Sequence, residues 1–201
     1  MDPLSHVALG AGLGALAAGE ARIRGVVPAA VAGSLIPDLD AVVMPFGWDR
    51  YLRIHEIGTH SLPGTMVCAL VAALLVRQHP RAREWRLVVL AAWLGAAAHV
   101  LLDLVSSARI RALWPIVERQ FSIPLVAMAD PWLAAILAVA LPALWLGDRF
   151  RRHAVAAVLC VALGFLGVKA IRARSAVACR RSGWSPDPRT DRCSCPPDRC
   201  S

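Results

Sequence analysis

Long apolar segments alternate with short polar ones along most of the chain. They fall at about residues 4–19, 26–43, 57–76, 87–106, 131–147 and 154–171. Several lie near the lower end of the roughly 17–25 residues that a helix needs to cross a bilayer. The pattern therefore predicts an all-α fold, a polytopic membrane bundle of about six transmembrane helices.

The composition agrees with a membrane protein. Of the 201 residues, 57% are hydrophobic, whereas about half is usual for a soluble domain. No basic region precedes the first apolar residues, so we interpret them as a retained membrane segment rather than a cleaved signal peptide.

The composition changes near the C-terminus. Residues 173–201 contain four of the six cysteines, many prolines and no apolar periodicity, as is typical of a flexible tail. We therefore divide the chain into a helical membrane domain, 1–172, and a tail, 173–201. If the tail is exported, its cysteines would form two disulfides in any of three pairings; in the cytoplasm they would be free thiols or a weak metal clamp. These cysteines are Cys179, Cys193, Cys195 and Cys200.

The net charge of +8 does not require nucleic acid as a partner. Eight of the 22 basic residues lie from Lys169 onward, and most of the others lie in short loops. The loops after the first, third and fifth apolar segments hold more arginine than loops 44–56 and 107–130, which predicts that the former face the cytoplasm. We expect no nucleic-acid partner.

Ionisable residues gather at the non-cytoplasmic ends of four predicted helices. Such groups are costly in a membrane and normally face the bundle interior, paired with something. Imidazole and carboxylate groups are ligands of Zn²⁺ and related ions, so we predict a site for a divalent metal ion, with zinc favoured and manganese or iron as alternatives. The predicted ligands are His6, Asp38, Asp40, His55, His60, His99 and Asp103.

The local spacings support this site unevenly. His99 and Asp103, in "HVLLD", stand at i, i+4 on one helical face. In "IPDLD" the proline favours a helix end that presents Asp38 and Asp40, and the glycine of "HEIGTH", residues 55–60, allows a bend that brings both histidines to one point. Taken singly, each of these motifs also fits a structural role, either as a helix cap or as two side chains that hydrogen-bond to each other.

Glu56 lies between two predicted ligands. It is a candidate extra ligand, a partner that orients an imidazole, or a general base. In a hydrolytic reaction, Asp40 or Glu56 would accept the proton of a water activated by the ion. His79 and His153 lie among the arginines of the basic loops, and we exclude them.

The segments "PLSHVALG", "IPDLD", "HEIGTHSLPG", "HVLLDLVSSARIRALWPI" and "FSIP", in this order, resemble the bacterial membrane-bound metal-dependent hydrolases, one member of which is known from the SOS response. The likeness covers about residues 3–147. It implies a multi-pass protein of the bacterial inner membrane with a histidine and aspartate metal site, grouped distantly with zinc-dependent phospholipase C and P1-type nucleases. It also implies the seven ligands named above and, as a further acidic position, Asp130.

The chain departs from this family at Glu56. The family has an arginine there, as in "HRGxTHS", and an arginine can bind a phosphate or stabilise its transition state. The missing positive charge has three candidates, Arg53, Arg109 and Arg111. The predicted order of membrane segments places all three on the same side of the membrane as the predicted ligands.

We therefore predict a membrane-bound metal-dependent hydrolase that acts on a phosphodiester or phospholipid-type substrate at the non-cytoplasmic face. Membrane lipid is the expected partner, and the oligomeric state is left open. One alternative is a metal or proton transporter, which would need a route to both faces and usually a site near the midplane. Another is a metal-stabilised membrane protein without catalytic activity.

Overall fold

The structure is a computed structural model that describes residues 2–19, 23, 25–76, 82–106, 108–181, 185–186 and 193–194. Within these ranges the regular structure is helical apart from one short antiparallel strand pair, and segment 108–130 is irregular. The α-helices are α1 Pro3–Ala18, α2 Val26–Leu35, α3 Trp48–Arg53, α4 Leu62–Leu75, α5 Ala82–Val105, α6 Pro131–Ala138, α7 Ala140–Ala143 and α8 Asp148–Arg181.

Four further elements complete the described secondary structure. A 3₁₀ helix, Ile36–Phe46, continues from α2, and a π-helix, Ile54–Thr59, continues from α3. The strands β1, Ser185–Pro186, and β2, Cys193–Ser194, pair with each other. The chain divides at residue 162 into two compact units, and all the residues of the candidate site belong to the first.

Three helical segments are long and apolar enough to cross a membrane: Val26–Phe46, Glu84–Val105 and Arg149–Ala178. Segments 48–59 and 62–75 make a fourth if they are one span, although they meet at an angle of 84°. The remaining apolar segments, 3–18 and 131–143, form shorter helices. The helical membrane class is confirmed, but among the described residues the structure supports three or four full spans rather than six.

Side-chain caps and prolines set the starts of several helices. Asp2 accepts a hydrogen bond from the backbone N–H of Ser5 at 2.8 Å, and Pro3 follows it at the first position of α1. Asp130 accepts from the N–H groups of Trp132 and Leu133, both at 3.1 Å, and so begins α6. Proline suits this position because the first helical N–H groups have no partner within the helix.

Small residues bring α2 and α5 into close contact. Ala29, Ala30 and Ala92 are fully buried in the core that these helices share. A Cβ atom on Gly33 would collide with the carbonyl group of Ala92, and one on Gly95 with the carbonyl group of Ala30. Such close backbone approach is the usual basis of helix packing in membranes. It sets the position of α5, which carries two of the predicted ligands, against α2, which leads into the 3₁₀ helix that carries two more.

The irregular segment 108–130 folds onto the C-terminal end of α5. The N–H of Ile123 donates to the carbonyl of Leu104 at 2.8 Å, and the N–H of Leu125 donates to the carbonyl of Val105 at 2.9 Å. The N–H of Leu62 donates to the carbonyl of Ala112 at 2.9 Å. The segment therefore joins the end of α5 to the start of α4.

The helix α8 continues past residue 173, where the sequence predicts the tail to begin, and ends at Arg181. The division into a membrane domain and a tail stays a prediction. The predicted tail disulfides lie outside the described residues, because Cys195, Cys200 and the side chains of Cys179 and Cys193 are not described.

We expect Gly33→Ala and Gly95→Ala each to lower the free energy of unfolding by about 1–3 kcal/mol, because the new methyl group meets a backbone carbonyl that cannot move freely. The measurement is the helical circular dichroism signal during titration of the detergent-solubilised protein with sodium dodecyl sulfate. Gly164→Ala is the matched control, since no atom lies within 4 Å of its added Cβ. Equal effects at all three positions would contradict the packing described here.

Candidate metal centre

The predicted ligands lie at helix ends that meet on one side of the bundle. α1 supplies one residue, from its first turn. The 3₁₀ helix supplies two carboxylates, and α5 supplies two residues from its last two turns. The π-helix and the turn after it supply the remaining two histidines. In chain order, these residues are His6, Asp38, Asp40, His55, His60, His99 and Asp103.

Four of these residues form what we call the inner cluster: Asp38, His60, His99 and Asp103. One nitrogen or oxygen atom of each lies within 4.8 Å of the corresponding atom of the other three. His60, His99 and Asp103 are buried, and Asp38 is partly exposed. The cluster is therefore closed on most sides and open towards Asp38.

The distances within the inner cluster suit a single ion. The Nε2 atoms of His60 and His99 are 3.0 Å apart, and each lies 3.2 Å from Oδ2 of Asp103. Oδ1 of Asp38 lies 3.4 Å from Nε2 of His99 and 3.9 Å from Nε2 of His60. Ligand atoms around a tetrahedral zinc ion are about 3.4 Å apart. The four side chains therefore have the spacing of a tetrahedral donor set.

Hydrogen bonds behind the two histidines assign their tautomers. Nδ1 of His99 lies 2.7 Å from the carbonyl oxygen of Ser34, which can only accept, so this nitrogen carries the proton. Thr59 donates its hydroxyl proton to Oδ2 of Asp40 at 2.5 Å. The hydroxyl oxygen is then the acceptor for Nδ1 of His60 at 2.9 Å. In the neutral form of each ring, Nε2 is therefore the nitrogen whose lone pair faces the cluster.

The inner cluster thus brings acceptors together. Two imidazole lone pairs and the Oδ2 atom of Asp103 lie within 3.2 Å of one another. Buried acceptors that face one another repel unless a positive charge lies between them. A proton on one ring nitrogen would relieve part of this repulsion, whereas a divalent cation would engage all four side chains at once. The donor set fits a metal ion.

His6 lies against the inner cluster without an ordinary hydrogen-bond partner. Its ring is fully buried and stacks on the ring of His99, with the centroids 3.8 Å apart. Neither ring nitrogen makes a hydrogen bond to a described residue, and Nε2 lies 3.6 Å from Oδ1 of Asp103. A buried polar group without a partner is costly. Coordination of an ion beside Asp103 would supply the missing interaction.

Three residues form what we call the outer cluster: Asp40, His55 and His60. Nδ1 of His55 lies 3.2 and 3.0 Å from the two carboxylate oxygens of Asp40. The side chain of Asp40 is 2% exposed and that of His55 is 18% exposed. The outer cluster therefore extends from the buried ligands towards the surface.

The turn that carries His60 has its own supports. Ser61 donates its hydroxyl proton to the carbonyl of Gly58 at 2.9 Å and accepts the N–H of Gly64 at 3.2 Å. A Cβ atom on Gly64 would collide with the carbonyl of Gly58. The turn between the π-helix and α4 is therefore tight, and it directs His60 into the bundle.

Two further predicted residues need separate mention. The backbone of Glu56 lies in the π-helix, but its side chain is outside the described part of the chain, so its roles as a ligand or base stay predictions. Asp130 is the cap of α6. Of the excluded histidines, His79 lies outside the described residues, and His153 bonds to the carbonyl of Arg149 on the exposed side of α8.

Three contributors were not identified from the sequence. Thr59 lies inside the motif "HEIGTH", where its position before His60 is a signal that sequence reasoning could have used. Ser34 contributes a backbone carbonyl, which no residue type reveals. Tyr51 packs its ring 5.1 Å from that of His55, at the i, i+4 spacing typical of a helical pair.

Comparison with known proteins identifies similar membrane proteins. The family model described as YdjM inner membrane protein matches residues 1–176. The uncharacterized protein YfhP of Bacillus subtilis (strain 168) is 28% identical over 141 residues, which cover 66% of this chain and 43% of that protein. This chain therefore matches less than half the length of that relative. No solved structure matches the chain.

We expect Thr59→Val to weaken the binding of Zn²⁺ by about 10- to 100-fold, because it removes the hydroxyl that links Asp40 to Nδ1 of His60. The measurement is competition with a fluorescent zinc chelator in detergent. Thr65→Val is the matched control, since the Thr65 hydroxyl bonds only to the carbonyl of Leu62. If both variants bound zinc as the wild type does, the assigned role of Thr59 would be wrong.

Proposed function

We propose that this chain, which belongs to the YdjM inner membrane protein family, is a metal-dependent hydrolase that acts on a phosphodiester or phospholipid-type substrate. The protein is located in the inner membrane. The observation that carries the proposal is the convergence of the Nε2 atoms of His60 and His99 with the carboxylates of Asp38 and Asp103. Imidazole and carboxylate together are typical ligands of hydrolytic zinc sites, so zinc is the proposed ion, ahead of manganese or iron.

A divalent cation held by these residues would polarise a phosphoryl oxygen and activate the attacking water. The surrounding residues orient and shield the site. Ser34 and Thr59 hold the two buried imidazoles with their Nε2 lone pairs directed inward. The burial of His60, His99 and Asp103 limits bulk water to the side of Asp38.

The outer cluster is the proposed place for proton transfer. Asp40 accepts hydrogen bonds from Thr59 and His55, which holds the His55 ring with its proton on Nδ1. The lone pair on Nε2 of His55 is then available to take the proton of the attacking water. Asp40, which the sequence nominates as the base, would act through His55 in this arrangement. Glu56 remains a second candidate for the same role.

The position of the site favours hydrolysis over transport. Its ligands come from helix ends, including the first turn of α1 and the last two turns of α5. Transporters usually hold their ions near the middle of the bilayer, between broken helices. A site at a membrane face can be reached by a lipid headgroup while its acyl chains stay in the bilayer. We propose that this face is the non-cytoplasmic one. The resemblance to zinc-dependent phospholipase C and P1-type nucleases belongs to the same proposal.

We expect the purified protein to contain stoichiometric metal that His60→Ala and His99→Ala both lose, because each variant removes one donor of a four-residue set. The measurement is elemental analysis of detergent-purified protein. His153→Ala is the matched control, since it removes an exposed histidine remote in sequence from the clusters. A wild type without metal, even after incubation with zinc, manganese or iron, would disprove the metal centre.

We further expect the metal-loaded protein to hydrolyse bis(p-nitrophenyl) phosphate or a short-chain phosphatidylcholine. Chelation should abolish turnover, and the loss of one ligand in His99→Ala should lower kcat/KM by at least about 100-fold. Bound metal without turnover on any phosphodiester would identify a metal-stabilised membrane protein instead. Metal or proton flux into proteoliposomes, again without hydrolysis, would identify a transporter.

A further inference from the structure

A second polar cavity lies beside the segment that carries the outer cluster. It has a volume of about 400 Å³ and is lined by Asp49, Leu52, Arg53, Ile57 and Arg111. Cavities of roughly 300–1,000 Å³ hold small-molecule ligands in proteins. Neither the inner nor the outer cluster contributes a side chain to it.

The charge of the lining favours an anion. Among the described residues that line the cavity, Arg53 and Arg111 carry guanidinium groups and Asp49 carries a carboxylate. Guanidinium groups bind phosphate through paired N–H donors. The side chains of Leu52 and Ile57 form an apolar part of the cavity wall beside these charges. The lining therefore suits a ligand with an anionic group and an attached hydrocarbon part.

The two arginines come from separate segments that are each anchored. Arg53 is the last residue of α3, which continues directly into the π-helix. Arg111 lies between Ile110, which is fully buried and pairs with Phe121 through bonds of 3.1 and 2.8 Å, and Ala112, whose carbonyl accepts the N–H of Leu62. Backbone anchoring of this kind holds binding groups in place before the ligand arrives.

The same segments reach the metal centre. His55 follows Arg53 by two residues, so their Cα atoms are at most about 7 Å apart. On the other side, Leu62, which bonds to Ala112, follows His60 by two residues. A ligand anion in the cavity would therefore lie next to the elements that carry two of the candidate ligands.

We propose that Arg53 and Arg111 form an anion subsite that binds a phosphate group of the substrate, carried by a membrane lipid. This inference rests on the proposed function and names its substrate class as a phosphate-bearing lipid. Arg109, which the sequence also nominates, is exposed and does not line the cavity. Arg53 and Arg111 are thus the positioning residues for the anion.

The test measures binding to full-length, metal-depleted protein in neutral detergent by isothermal titration calorimetry. The probes are dihexanoyl phosphatidic acid, the matching diacylglycerol without phosphate, and inorganic phosphate. We expect the phosphatidic acid to bind at least about tenfold more tightly than either other probe. Arg53→Gln and Arg111→Gln should each weaken it by about tenfold or more, and Arg53→Lys should weaken it less, because lysine keeps the charge but not the paired donors.

Arg109→Gln is the matched control and should bind the phosphatidic acid within about twofold of the wild type. Equal binding by the wild type, Arg53→Gln and Arg111→Gln would overturn the subsite, as would an equal loss in Arg109→Gln. Inorganic phosphate bound as tightly as the lipid would overturn the lipid assignment and identify free phosphate as the ligand.

The metal content of the same preparations separates the two proposals. Arg53→Gln and Arg111→Gln should bind zinc like the wild type when it is added back, because neither residue belongs to a candidate cluster. Normal zinc binding with unchanged lipid binding would reject the subsite alone. A wild type that binds the lipid but no metal would reject the metal centre and leave the anion subsite standing.

Discussion

The Nε2 atoms of two buried imidazole rings lie 3.0 Å apart beside a buried carboxylate, and the rest of the site follows from the need to hold them there. Buried acceptors repel one another unless a cation lies between them. Hydrogen bonds behind each ring hold the two imidazoles in this arrangement. The carbonyl of Ser34 holds His99, and the hydroxyl of Thr59 holds His60 while it also binds Asp40. The inner and outer clusters are therefore one connected hydrogen-bond network.

Close helix packing places these supports. Gly33 and Gly95 allow α2 and α5 to approach until backbone meets backbone, which brings the carbonyl at the end of α2 to within 2.7 Å of the His99 ring. A larger side chain at either glycine would separate the helices. The close contact between α2 and α5 therefore has two effects. It packs the helices together, and it orients the ring of His99, a candidate ligand. In lipid, where burial of apolar surface adds little between helices, such contacts are a main source of association.

The architecture also explains why the site lies at one end of the helical bundle. The 3₁₀ helix, the π-helix and the sharp turn at Ser61 interrupt regular α-helix where the ligands occur. Irregular backbone at membrane depth is tolerated where it is buried in protein or lines a polar cavity. The segment 108–130 covers the same end of the bundle and brings Arg111 to the cavity beside it. The candidate metal ligands and the two arginines that line the cavity therefore lie at the same end of the bundle.

The sequence by itself determined the helical membrane class, through its hydrophobic periodicity. It also determined that four histidines and three aspartates converge at helix ends, because buried charges need partners. Those properties depend on residue type and spacing along the chain, which a sequence contains in full. Only the tertiary structure decided how many segments are full spans and which ring nitrogen of His60 and His99 faces inward. It also decided that six of the seven residues form two clusters that share His60, while His6 stacks on His99. Ser34 and His99 are 65 positions apart, and the contact between them is made by a backbone carbonyl. Such a contact depends on how two helices pack, because every residue carries the same carbonyl group.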